Sequence, residues 1–296
     1  MINNIAIIGG THGNEYTGVY LLKKLQIDKI HEKFSNLNIE LLLGNPKAYE
    51  KCVRFIDHDL NRSFLKDDLN NLNLSGYEAN RAKVINYNLG PKESPKTDFI
   101  IDIHSTTANM GVSIILIGDN IINFRVASYI KNYIKDIGIY YMSATSYTAD
   151  EDHPFLNSIS PYSLALEIGP IANGIVRHDI LEKAEKALYK AIEFINLMKS
   201  KQEPKLPEQL EVFEHVKTVE FPTNLQGEIS AIIHKDLQDR DYQPLEKGCP
   251  IFYTLDGNTI NFDENETMYP VFINEAAYYY KNIAFSLTKK ITKNIY

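Results

Sequence analysis

The sequence predicts an α/β fold: a largely parallel sheet flanked by helices, followed by a smaller β-rich domain. Three observations predict it. Apolar runs of strand length alternate with helical periodicities to about residue 200. A polar, proline-bearing stretch, Lys201-Gln-Glu-Pro-Lys-Leu-Pro207, then breaks the pattern. Beyond it come short β-like runs punctuated by Gly and Pro. The expected division is 1–203 for the α/β domain and 204–296 for the second.

Ile5 to Ile8 reads as a buried strand halted by Gly9 and Gly10. Tyr16 to Gln26 is a helix with Val19, Leu22 and Leu25 on one face, and Ile39 to Leu43 is the second strand, ended by Gly44-Asn-Pro46. Arg54-Phe-Ile-Asp-His-Asp-Leu-Asn-Arg-Ser-Phe64 has no period and is dense in charge, the texture of a functional loop. Ser75-Gly-Tyr-Glu78 reads as a capping box opening a helix that ends near Gly90. Strands follow at Asp98–Ile103, Val112–Ile117 and Ile139–Met142, with a helix over Asn120–Asp136. Leu164–Leu166 leads into Glu167 and stops at Gly169-Pro170. Asp179 with Glu182 is expected to cap a long helix whose apolar stripe is Leu181, Ala184, Leu188, Ala191 and Ile195. In the second domain the β-like runs are Val212–Phe213, Gly227–His234, Pro250–Leu255 and Thr259–Phe262.

Composition excludes several functions. Lys plus Arg is 31 against 38 for Asp plus Glu, a net charge of −7, which argues against nucleic acid or an anionic membrane as the partner. No apolar run is long enough to span a bilayer. Cys52 and Cys249 stand in no metal or redox spacing, the start has no signal-peptide texture, and a cytoplasmic location is expected. The sequence leaves a homo-oligomer open.

Three titratable residues fall at the carboxyl ends of predicted strands: His12, His104 and Glu167. In an open α/β sheet, ligands bind outside those ends, so distant residues share one crevice. His12 and Glu15, three residues apart on a turn, can reach one metal ion from one side. His104 completes a His₂Glu set with a fourth position open for water, the ligand pattern of zinc hydrolases. Asp102 can orient a ligand from behind, unless strand alternation turns it away. Glu167, after an apolar run, is expected to be poorly solvated with a raised pKa, suited to general base and acid work.

His12-Gly-Asn-Glu15, the Arg54…Asp59-Leu-Asn-Arg62 block, Asp102-Ile-His104, Glu167-Ile-Gly-Pro170 and the closing Val271-Phe-Ile-Asn-Glu-Ala-Ala-Tyr278 resemble the zinc carboxypeptidase superfamily. The resemblance is to its aspartoacylase/succinylglutamate desuccinylase branch, and it covers nearly the whole chain with the motifs in family order. It implies a zinc-carboxypeptidase-like mixed sheet and one zinc ion held by His12, Glu15 and His104. Glu167 would be general base, then acid. Arg54 would polarise the scissile carbonyl and hold the oxyanion, Asn61 and Arg62 would bind a substrate carboxylate, and Tyr278 would reach in from the second domain, which would narrow the entrance.

The implied activity is zinc-dependent hydrolysis of a small anionic N-acyl amino acid, N-acetyl-L-aspartate first. Succinylglutamate and acylated aromatic amino acids are the alternatives, and a metal-binding scaffold is a rival of another class. One departure bears on substrate. Where aspartoacylases carry an arginine for the second carboxylate, this chain has Asn157, after an acidic loop over 147–154, and Lys281 is a candidate replacement.

Overall fold

The computed structural model describes residues 2–143 and 152–296. Twelve strands are found among them: β1 (Asn4–Gly9), β2 (Asn38–Leu43), β3 (Phe99–Ser105), β4 (Gly111–Ile117), β5 (Gly138–Met142), β6 (Tyr162–Gly169), β7 (Gln209–Glu220), β8 (Ala231–Ile233), β9 (Pro250–Thr254), β10 (Thr259–Asn261), β11 (Tyr269–Val271) and β12 (Ile283–Asn294). Nine form one sheet in the order β11-β12-β7-β5-β4-β6-β3-β1-β2, and β10-β9-β8 form a second. The four pairs β1/β2, β1/β3, β3/β6 and β4/β5 are parallel, as is the short β5/β7 contact; β4 runs antiparallel to β6. The fold is thus mixed α/β with a mostly parallel large sheet.

The inner strands are buried on both faces, which is why they read as continuous apolar runs rather than alternating ones. Phe99, Ile100, Ile101 and Ile103 of β3 are all fully buried. Helix Tyr16–Ile27 packs Leu21, Leu22 and Leu25 onto this sheet. Helix His178–Lys199 buries Leu181, Ala184, Leu188, Ala191 and Ile195, the stripe expected from its period. Truncating Leu188 to Ala would cost about 2–5 kcal/mol, since the site is closed on all sides.

Both expected helix caps are absent. Helix Tyr77–Leu89 starts at Gly76 with no side-chain cap, and the carboxylate of Asp57 accepts the Tyr77 N–H at 2.6 Å instead. Glu78 is fully buried and turns to the 54–64 loop, where it accepts from the backbone N–H groups of Ile56 (2.7 Å) and Asp57 (2.9 Å) and from Asn45 Nδ2 (3.0 Å). A buried irregular loop has N–H groups no ladder satisfies, and Glu78 serves them. Helix His178–Lys199 is preceded by Arg177, and Asp179 pairs with that arginine rather than capping.

The C-terminal third differs from the sequence expectation in its strands. Where only Val212–Phe213 read as β-like, β7 runs for 12 residues, and β12 was not anticipated at all. The two pair antiparallel along almost their whole length, and β7 also joins β5 of the large sheet. The rest of this third has its own core around Phe221, Leu237, Phe252, Phe262 and Phe285. Asp241 is buried beside it, with Oδ1 accepting the Ile273 N–H at 3.1 Å and Oδ2 without a partner.

Candidate active site

The carboxyl ends of β1, β3 and β6 lie side by side, because β3 pairs parallel with both neighbours. His104 is in register with Glu167 across β3 and β6. Beyond β1 the chain turns sharply at Gly-Gly-Thr-His12-Gly-Asn-Glu15. Glycine is required here by close approach: a Cβ on Gly13 would sit 2.0 Å from the backbone of Ala48, and the Gly13 N–H donates to the Arg54 carbonyl at 3.1 Å. The tight turn therefore brings the Arg54 segment against His12 and Glu15.

His12, Glu15 and His104 are buried, and their ligand atoms all lie within 4.8 Å of one another. Glu15 Oε1 is 2.6 Å from His12 Nδ1, Glu15 Oε2 is 3.0 Å from His104 Nδ1, and the two Nδ1 atoms are 3.2 Å apart. The far nitrogens are taken: His12 Nε2 faces Asp59 Oδ1 at 2.9 Å and His104 Nε2 faces Asp102 Oδ2 at 2.8 Å. An ionised carboxylate only accepts, so Asp59 and Asp102 each fix a proton on the Nε2 they face, and each Nδ1, turned to Glu15, is left to hold either a second proton or a cation. Two ring nitrogens and a carboxylate thus converge on one point, an arrangement that accepts a cation in place of the Nδ1 protons.

The electrostatics agree. Burial pushes Glu15 up, but the two imidazoles outweigh it and hold its carboxyl well below the usual range. Burial pushes His104 down, and Asp102 and Glu15 raise it well above its ordinary value. The locus attracts positive charge. An N₂O donor set from two imidazoles and a carboxylate, each imidazole backed by a second carboxylate, suits zinc.

Glu167 lines the same cleft and has its pKa pushed up to about 8, first by burial and then by Glu15 and Glu275, against the pull of His104. Arg54 donates to Glu15 Oε1 (3.1 Å) and Asp59 Oδ2 (3.2 Å), while its buried Nε has no partner. Those two carboxylates outweigh its burial and keep it charged. Arg62 donates to the Asn61 carbonyl at 2.7 Å and lies over the ring of Phe155, 4.7 Å from its centroid. Among the described residues no carboxylate pairs with it. Asn61 Oδ1 accepts the Leu156 N–H at 2.8 Å. Tyr278, on a 3-10 turn, faces Glu167 and both arginines, and its burial raises its pKa. All eight sequence-predicted site residues line one cleft of about 260 Å³. Its remaining wall is mixed, with Ile115, Ile117, Met142 and Phe272 among the apolar side chains and His215, Thr218 and Ser286 among the polar ones.

The sequence matches the succinylglutamate desuccinylase/aspartoacylase catalytic domain over residues 1–195 and the AstE/AspA barrel-sandwich hybrid domain over residues 208–290. The chain belongs to the succinylglutamate desuccinylase/aspartoacylase family. A probable aspartoacylase of Trichodesmium erythraeum is 44% identical, with 98% of this chain and 97% of that one covered. An N-acyl-aromatic-L-amino acid amidohydrolase (carboxylate-forming) of Xenopus laevis is 39% identical, with 98% and 95% covered. The crystal structure of murine aminoacylase 3 superposes with a TM-score of 0.92 at 32% identity, covering 99% of this chain and 97% of that one. Succinylglutamate desuccinylase from Vibrio cholerae, at 17% identity and a TM-score of 0.63 over 98% and 82%, shares the fold. Family membership makes this an N-acyl amino acid hydrolase.

Within this family member, three carboxylates escaped the sequence reading or were left open by it. Asp102 does back His104; residues two apart on a strand share a face, a parity visible in the sequence. Asp59 bridges His12 and Arg54 and also caps the turn at Asn61. Glu275 is buried and binds the loop after His104: its Oε2 accepts the Thr107 N–H at 2.7 Å and the hydroxyls of Thr106 and Thr107, and its Oε1 accepts the Ala277 N–H. Its signal was an acidic residue inside the apolar run Val271–Ala277. His153 is half-buried, and burial lowers its pKa to about 4. Asn157 is buried on the cleft wall with Oδ1 unpartnered, and Lys281 stands exposed at the rim. Residues 147–151 of the acidic loop lie outside the described residues. Among the described residues no helix is long and apolar enough to cross a membrane.

Proposed function

We propose that the protein is a zinc-dependent deacylase that cleaves N-acyl-L-amino acids, with N-acetyl-L-aspartate as its first substrate, releasing acetate and L-aspartate. The observation that carries the reading is the convergence of His12 Nδ1, His104 Nδ1 and Glu15 beside a carboxyl that is neutral or charged within reach of working pH. Zinc held by His12, Glu15 and His104 would supply a polarising charge and lower the pKa of water to about 7.

The chain's own residues account for the rest. Glu167 accepts the proton of the attacking water and returns it to the departing amine; its raised pKa suits both transfers. Arg54, fixed by Glu15 and Asp59, presents preorganised positive charge to the oxyanion. Arg62, braced by Phe155 and free of carboxylates among the described residues, binds the α-carboxylate with Asn61. Tyr278 closes the cleft from the C-terminal domain, which narrows the entrance to exclude peptides. Lys281, also without an ion-pair partner among the described residues, supports a second carboxylate on the substrate.

A second reading has its own observation. Asn157 offers an amide where a dicarboxylic substrate would profit from a cation, and the wall carries the apolar side chains of Ile115, Ile117, Met142 and Phe272, both of which favour an acylated aromatic amino acid. A panel of N-acyl amino acids with released amine measured decides between them. Turnover of N-acetylaspartate over N-acetylphenylalanine is expected; the reverse order selects the aromatic substrate, and turnover of neither rejects the deacylase.

A further inference from the structure

We propose that Lys92 is a positioning residue for recognition of the substrate carboxylate, a buried ammonium that clamps the Asn61–Arg62 wall of the cleft to the Phe155–Asn157 wall. The inference rests on the deacylase reading for its substrate, but the clamp stands on geometry alone. Lys92 is 8% exposed, which is rare for a lysine and requires that its charge be satisfied. It has three donors, and all three are used: Nζ reaches Phe64 O at 2.8 Å, His153 O at 2.9 Å and Asp152 Oδ1 at 2.5 Å.

These partners flank the two walls. Phe64 lies two residues past Arg62, and His153 two before Phe155. The same seam carries Phe64 N–H to Pro154 O at 3.1 Å, Lys66 N–H to the Asp152 carboxylate and Leu156 N–H to Asn61 Oδ1. Phe155 is the surface on which the Arg62 guanidinium rests. The lysine itself is held from the other side, its backbone N–H donating to Asn86 Oδ1 at 2.9 Å. It does not line the cleft, so it acts through Arg62 and Phe155 and not on the substrate.

A packing role would be met by an apolar side chain of similar length at less desolvation cost. What an apolar residue cannot do is fix two carbonyls and a carboxylate at hydrogen-bond distance from one point. Without that point the Phe155 wall is free to shift, and a displacement of about 1 Å at a positioning contact is felt strongly in recognition. Because the carboxylate is gripped alike in ground and transition states, the effect falls on KM.

The test uses the full-length zinc-loaded protein and the variants K92M, K92Q and K92R, assayed on an N-acetyl amino acid and on its α-carboxamide. K92M is expected to raise KM for the acid roughly tenfold or more with kcat within about threefold, and to lower the acid-over-amide ratio of kcat/KM. K92R is expected to restore most of that ratio. A folded K92M with wild-type KM and ratio overturns the proposal; if K92M does not fold, K92Q decides by the same readout. Hydrogen exchange at the Phe64 and Leu156 amides reads the clamp without turnover. Protection lost in the variant supports it, and protection unchanged overturns it. A wild-type protein that cleaves no N-acyl amino acid rejects the deacylase reading separately from that exchange result.

Discussion

Oδ2 of Asp102 lies 2.8 Å from Nε2 of His104, and its other oxygen, Oδ1, accepts the Thr11 hydroxyl at 2.7 Å. The carboxylate thus fixes the tautomer of His104 and the plane of its ring. Asp102→Ala should weaken zinc binding by about 10–100-fold, the usual effect of losing a partner behind a metal-bound imidazole. Competition with a chelator measures it. An affinity equal to wild type would show that His104 is oriented by packing alone.

The two arginines should separate in kinetics. Arg54→Ala removes charge from the proposed oxyanion position and is expected to lower kcat by about 10²–10³. Arg62→Ala removes the proposed contact to the substrate carboxylate, one kept throughout the reaction, and should raise KM with kcat little changed. Arg62→Lys should recover only part, since an ammonium neither lies flat on Phe155 nor bonds bidentately. Identical effects on kcat and KM in both alanine variants would refute the division of roles.

Glu275→Ala leaves the part-buried N–H groups of Thr107 and Ala277 and the buried Thr106 hydroxyl without their acceptor. At about 1–3 kcal/mol for each unsatisfied group, a loss of about 3–5 kcal/mol is expected, measured by denaturant unfolding. Because the same carboxylate ties the loop after His104 to the turn bearing Tyr278, activity should fall further than the folded fraction does. A loss under about 1 kcal/mol would mean that water takes over the bonds.

Asp241 gives a pH test away from the His12–Glu15–His104 cluster. Burial pushes its pKa up to about 7, against the pull of the Ile273 N–H. The unfolded chain releases this proton near pH 4 while the folded chain keeps it, so the carboxyl costs stability increasingly as pH rises from about 4 to about 7. Asp241→Asn removes that cost. Its stability relative to wild type should therefore climb across this window and level off above it, as thermal unfolding at stepped pH would show. A difference independent of pH would contradict the shift.

Much of this was legible because strand ends mark sites. Apolar runs located β1, β3 and β6; His104 and Glu167 come directly after their runs, and His12 lies on the turn just past β1. Helix His178–Lys199 was visible from its stripe, since period and burial agree there. The caps were misread because a capping motif only shows that a carboxylate wants N–H groups, and Glu78 found them in another loop. Lys92 and Glu275 were illegible for a related reason. Their partners lie as far as 61 and 169 residues away in polar segments without a period. Strand β7 was underestimated because its second half, Glu214 to Glu220, is polar and half exposed, so no apolar run announces it.

Strand β7 also decides what can be cut from this protein. It lies against β5 on one side and β12 on the other, so the seam between the halves runs through hydrogen-bonded backbone and not through a hinge. A fragment stopped at residue 203 would bare the flank of β5, with its buried Tyr140 and Tyr141 beside unpaired amides. Such a flank recruits other chains. The N-terminal portion expressed by itself should therefore precipitate, and co-expression of the remainder as a separate polypeptide should rescue it.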